Sequence, residues 1–279
     1  MTLVSIGDQV KEGTYPFHSR FRRAANFRCN NGLVCVVDEE VGDGPLNIVV
    51  RDFNGESTCV EPAPLIIGAT SVALGRLRFE YTAADYYHSD VTLDEWDPQL
   101  FEHNLSVFEE ELRTVSCPKS LAFLLDERRI MNFQPGFERA LTDQIRRGVY
   151  QMRNGHLLDG VRTLRGCGLG LTPSGDDFIA GLLIGLNLLQ QLRGQDYQRI
   201  ADEVFRIAKA GNVFSNSFLD LARRGLLFGR MKDLILALMH ESEEMVRKSA
   251  ARLMAIGGSS GADLGTGFLL TVRGEMGVS

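Results

Sequence analysis

Three aspartates carry the chemistry this sequence could do: Asp176 and Asp177 in Thr172-Pro173-Ser174-Gly175-Asp176-Asp177, and Asp263 in Ser260-Gly261-Ala262-Asp263. The ten residues from Ser174 align without gaps to the ten from Ser260 and share Ser-Gly-x-Asp-x-x-x-Gly-x-Leu. In each copy a Ser stands where a helix N-cap belongs, and an Asp three residues on could close a capping box. A Gly one turn further would admit a close neighbour. Two well-capped helices packed through their glycines would account for each copy alone. Two helix starts converging on one polar site would account for both, and for Asp176, which has no counterpart in the second copy.

Gly166, Gly168 and Gly170 precede the first copy at alternate positions and permit backbone conformations that a Cβ forbids. Free N–H groups of such a loop and of two helix starts could hold a phosphate or a carboxylate. Three acids would repel that anion unless a cation stood between them. With the hydroxyls of Thr172, Ser174 and Ser260 they make the hard oxygen set that magnesium takes. The candidate site therefore has Asp176, Asp177 and Asp263 as catalytic groups or magnesium ligands. Gly168, Gly170, Thr172, Ser174, Gly175, Ser260 and Gly261 are its binding residues. Ser215 and Asn216, in Val213-Phe214-Ser215-Asn216-Ser217, open a further helix as capping residues or ligand contacts. Arg20 and Arg22 alternate on one expected strand face and could pair with a carboxylate. On the plainer view Asp177 and Asp263 only cap, and Asp176 is solvated.

Other chemistries find less support. The glycine run lacks the third glycine of a dinucleotide fingerprint and the lysine of a P-loop. Cys167 could be activated by a helix start, or could simply fill the loop. The five histidines show no metal-ligand spacing and read as surface residues.

The elements that must position these residues fall into two parts. Up to about residue 100 the chain reads as strands: Leu33–Val37 after the turn signal Asn30-Asn31-Gly32, Leu46–Val50, Ala63–Gly68, and the alternating Arg76–Tyr81. From there helical periodicity covers 104–115, 119–125, 137–152, 157–164, 172–192, 197–210, 215–224, 231–240, 243–256 and 260–272. Gly155, Gly194, Gly211, Gly225 and Gly257 stand at expected helix ends. The expected fold is α+β, with a mostly antiparallel β-rich module (1–100) packed on an all-helical domain (101–279).

A net charge of −6 argues against a nucleic-acid partner. Five cysteines without a C-x-x-C pair suit neither a zinc site nor a disulfide framework. With no signal-like N-terminus and no apolar run of spanning length, the expectation is a cytoplasmic protein.

Gly168–Asp177, then Ser215-Asn216-Ser217-Phe218-Leu219, then Gly257-Gly258-Ser259-Ser260-Gly261-Ala262-Asp263 resemble the AllH family. Ser19–Asn26 resembles that family's N-terminal motif, so the likeness runs over nearly the whole chain. The resemblance implies a subunit of oxamate carbamoyltransferase, an enzyme of anaerobic allantoin breakdown. It moves a carbamoyl group from oxalurate to phosphate, giving oxamate and carbamoyl phosphate. It also implies protein partners, since family members are associated with two other subunits. The expected ligand is a small carboxylate or phosphate. The alternative is a non-catalytic, partner-binding subunit whose motifs pack and cap helices.

Overall fold

The structure is a computed structural model that describes residues 1–29, 32–93 and 95–277. Asn30 and Asn31 of the expected turn lie outside the described residues. The chain divides into two compact units. One holds Met1–Val91 and Leu226–Lys232; the other holds Thr92–Gly225 and the chain from Asp233 onward.

In the first unit the strands are β1 (Leu3–Gly7), β2 (Gly13–Tyr15), β3 (Phe17–Phe21), β4 (Ala24–Cys29), β5 (Gly32–Val37) and β6 (Asn47–Val50). After the one-turn helix α1 (Gly55–Thr58) come β7 (Leu65–Ile67), β8 (Ser71–Leu74), β9 (Leu77–Glu80) and β10 (Tyr86–Tyr87). They form two sheets, ordered β10-β1-β6-β5-β4-β3 and β2-β7-β8-β9. Pairing is antiparallel except where β1 meets β10 and β5 meets β6. Alternating side chains of both sheets, among them Ile6, Phe27, Val34, Val36 and Ile48 with Leu65, Ile67 and Val72, meet in one apolar core. Arg20 lies on β3, but Arg22 falls in the turn to β4, so the two do not share a strand face.

Residues 226–232 were expected within the helical part, yet they belong to the first unit. Backbone bonds hold them there: Leu227 N–H donates to Ser89 O at 2.8 Å and Gly229 N–H to Asp43 O at 2.9 Å. Helical periodicity carries no information about such a return, which rests on backbone groups that every residue has.

The second unit is helical, and no strand follows Tyr87 among the described residues. Its helices are α2 (Pro98–Thr114), α3 (Phe137–Arg153), α4 (Leu157–Leu164), α5 (Ser174–Arg193), α6 (Gln198–Ala208) and α7 (Val213–Arg223). Then come α8 (Gly229–His240), which enters it at Asp233, α9 (Glu243–Met254) and α10 (Ser260–Val272). Short 3-10 segments at Leu121–Leu124 and Glu127–Asn132 join α2 to α3. The expected helix 119–125 is thus a shorter 3-10 turn. Asp97 caps α2 ahead of Pro98, whose fixed φ suits a first turn.

Two helices lie at the centre. Apolar on every side, α5 is buried continuously from Gly175 to Leu186, and α10 from Gly261 to Val272. They cross at their glycines: a Cβ on Gly181 would collide with the Leu264 carbonyl, and a Cβ on Gly267 with the Phe178 carbonyl. Under the gapless alignment Gly181 corresponds to Gly267 and Phe178 to Leu264. The two contacts are therefore the same contact made twice, and the helix pair has a local two-fold relation.

Candidate functional site

The same exchange operates at the helix starts. Neither Ser174 nor Ser260 caps its own helix: the N-cap positions are held by Pro173 and Ser259, and neither makes a side-chain cap bond. Instead each first-turn hydroxyl serves the other helix. Ser174 faces the carboxylate of Asp263 and Ser260 that of Asp177, each hydroxyl favouring the ionised acid. The expected capping boxes do not form, because the crossing turns these hydroxyls toward the partner helix.

Thr172 donates to Asp177 Oδ2 at 3.3 Å, and its hydroxyl lies 3.4 Å from that of Ser260. Asp263 Oδ1 accepts from Leu121 N–H at 2.6 Å and Oδ2 from Ser259 Oγ at 2.8 Å. Asp176 Oδ1 accepts from Gly166 N–H at 2.7 Å. All three acids are buried, Asp176 at 4%, Asp177 at 2% and Asp263 at 0% exposure, so Asp176 is not solvated. Thr172, Ser174, Ser259 and Ser260 above them are half-buried and form a hydroxyl rim.

Burial raises the pKa values here. Asp263 is pushed up to about 6 by desolvation, which outweighs the hydrogen bonds from Leu121, Ser174 and Ser259. Asp177 is raised well above the usual carboxylate range, chiefly by desolvation and further by the charges of Asp263 and Asp176. The hydroxyls of Ser260 and Thr172 act the other way. Cys167 is no activated thiol: burial and the nearby Asp176 push it up, and its Sγ donates to Thr163 O at 3.1 Å. It fills the loop.

The glycine loop is shaped by close approach. Gly168 and Gly170 have φ of +129° and +106°, and a Cβ on Gly168 would strike Ser174 N. The N–H groups expected to receive an anion are largely used within the chain. Gly175 donates to Cys167 O at 2.7 Å, and Asp176 and Asp177 both donate to Pro173 O at 2.8 and 3.1 Å. Gly261 donates to Ile256 O at 3.2 Å. Nor do the three acids fit a magnesium ion as placed. Among the described residues, the one trio of His, Cys or carboxylate groups with ligand atoms all within 4.8 Å is Asp8, His88 and Asp90.

The start of α7 reaches the loop through Asn212, whose Nδ2 donates to Leu171 O at 2.6 Å. Asn212 is also the true cap of α7, accepting from Phe214 and Ser215 N–H. Asn216 instead closes a two-way bond with the backbone of Ala210, at 3.0 and 2.7 Å. Ser215 is 3% exposed and its hydroxyl has no hydrogen-bond partner in the protein. Arg20 and Arg22 belong to the other unit, and Arg20 gives its guanidinium to the carbonyls of Cys59 and Val60. Leu121 N–H and Ser259 went unnoticed in the sequence. Leu121 contributes only backbone, which leaves no signature, whereas the doubled Ser259-Ser260 was a usable signal.

A cleft of about 920 Å³ opens beside the starts of α4 and α6, and none of the three acids lines it. Its charges pair with one another, Arg162 with Asp159 at 2.5 Å and Arg199 with Glu203 at 3.7 Å.

The second unit is thus an all-helical body centred on a duplicated, glycine-crossed helix pair in which each first-turn hydroxyl faces a carboxyl of the other helix. Residues 164–272 match the family model described as oxamate carbamoyltransferase subunit AllH. The match runs from the last residue of α4 to the last of α10 and so spans both copies of the motif. The early Ser19–Asn26 stretch lies outside it. No curated protein and no solved structure matches the chain. No helix among the described residues is long and apolar enough to cross a membrane.

Proposed function

We propose that the chain is a subunit of an oxamate carbamoyltransferase-type enzyme, acting with protein partners, and that the rim over the α5–α10 junction receives the reacting carbamoyl group. The observation that carries this is the stack of two half-buried hydroxyls, Thr172 and Ser260, 3.4 Å apart, directly over the buried Asp177 carboxyl. A carbamoyl NH2 is rich in donors and needs acceptors, which this rim supplies. In the reaction a phosphate oxygen attacks the carbamoyl carbon, the C–N bond to oxamate breaks, and the leaving nitrogen takes a proton. A carboxyl whose pKa burial has raised keeps a proton closer to neutrality and can supply it through the Thr172 and Ser260 hydroxyls. Metal chemistry has no part in this scheme.

The alternative role as a non-catalytic, partner-binding subunit also has an observation behind it. Leu169 and Leu171 on the glycine loop are 75% and 50% exposed beside the rim. A partner covering them would exclude water from the site below, so partner binding alone does not decide between the two roles. The test is protection from thermal unfolding by oxamate and by carbamoyl phosphate, measured on the chain assembled with its partner subunits. Ligand-dependent stabilisation that disappears in Thr172→Val supports the proposal. Stabilisation of equal size in that variant, or none in the parent, refutes it.

A further inference from the structure

The first unit carries a ligand set that lies 80 residues apart in the sequence and is assembled by strand pairing. β1 and β10 run parallel, Ile6 opposite Tyr86 and Gly7 opposite Tyr87, so Asp8 and His88 leave their carboxyl ends side by side. Asp8 N–H donates to Tyr87 O at 3.1 Å and extends that register. Ser89 is fully buried between the exposed His88 and Asp90, which places those two side chains together on the outer side. Ser89 holds the Asp8 carboxylate from both ends, its N–H donating to Oδ2 at 2.9 Å and its hydroxyl to Oδ1 at 2.7 Å. Lys232 Nζ donates to the carbonyls of His88 and Asp90, at 2.8 Å each, and fixes the backbone on either side of Ser89. One ligand atom from each of Asp8, His88 and Asp90 then lies within 4.8 Å of the others.

We infer that Asp8, His88 and Asp90 bind a divalent transition-metal ion, with water completing the coordination. Two carboxylates held this near one another repel. The Lys232 ammonium is engaged with carbonyl oxygens rather than with either carboxylate. A dication neutralises the pair. The mixed imidazole–carboxylate set selects zinc, cobalt or manganese over calcium and magnesium, which take all-oxygen shells. Ser89 is the supporting group, fixing the Asp8 carboxylate as outer partners of metal ligands do.

The test is titration of the chelator-treated chain with Co2+, followed by visible absorbance, and with Zn2+, followed by calorimetry. One equivalent should bind to the parent. His88→Ala and Asp90→Asn, both exposed and outside the core, should each weaken binding by at least about tenfold. His18→Ala should leave it unchanged. Absence of a stoichiometric site, unchanged affinity in the His88 and Asp90 variants, or binding of Mg2+ in preference to Co2+ and Zn2+ would overturn the inference.

Discussion

The starts of α5 and α10 are two copies of one device, and they differ at a single informative position: Asp176 in the first, Ala262 in the second. What the copies share serves the crossing. Ser174 and Ser260 face Asp263 and Asp177 of the other helix, and Gly181 and Gly267 exchange carbonyl contacts. Bonds that only one copy makes tie each start to its own surroundings. Asp176 holds Gly166 N–H in the glycine loop, while Asp263 reaches out to Leu121 N–H in a preceding 3-10 turn. A duplicated motif therefore reports the contact between its copies. The departures from the repeat report the local anchors.

The comparison breaks most readily at the glycines. Gly181→Leu and Gly267→Leu should destabilise the fold by similar amounts, because each side chain would enter the backbone of the facing helix. Ordinary overpacking costs about 1–3 kcal/mol, and a backbone obstacle places both variants at or above the upper end. Chemical denaturation measures it. A large loss in one variant and none in the other would show that the two-fold relation is absent.

The buried acids give a pH signature of intermediate size. Asp263 titrates at about 6 in the folded chain, against ~3.9 when unfolded, so between these values the folded state binds more protons. The stability it contributes as a neutral acid is complete below the unfolded value and is lost as the pH rises through about 6. The loss is on the order of 3 kcal/mol. Asp263→Asn should flatten this part of the stability–pH curve and leave the chain more stable than the parent at neutral pH. Parallel curves for the two proteins between pH 4 and ~7 would contradict the burial of a titrating carboxyl.

The smallest effect is expected where the copies diverge. Asp176→Asn keeps an acceptor for Gly166 N–H and should cost at most about 1 kcal/mol. Asp176→Ala removes that acceptor and should cost more, with the loss confined to the glycine loop as read by hydrogen exchange at Gly166. Equal losses in both variants would mean that the charge, not the acceptor, matters there.

Much of this was legible in the sequence. Helices 157–164 and 260–272 begin and end where periodicity places them, because a 3.6-residue apolar repeat is a local signal. The gapless repeat foretold that the two helix starts would meet. It did not foretell that the serines would serve each other's aspartates, since a Ser-x-x-Asp spacing fits a local cap equally well. Nor did it reveal that the N–H groups of Gly175, Asp176 and Asp177 are occupied, which depends on the carbonyls of Cys167 and Pro173. The trio of Asp8, His88 and Asp90 was invisible for a related reason: strand pairing, not spacing, brings it together.

The central claim is that the Thr172–Ser260 rim over Asp177 takes part in carbamoyl transfer. The most direct measurement is phosphate-dependent formation of carbamoyl phosphate from oxalurate by the assembled enzyme, with the Thr172→Val, Ser260→Ala double variant in place of the parent chain. Both residues are half-buried and near the surface, so the melting temperature should change little. The account predicts that transfer falls by about 100-fold or more, the range lost with a positioned acid–base group. Transfer at the parent rate in the folded double variant would contradict it.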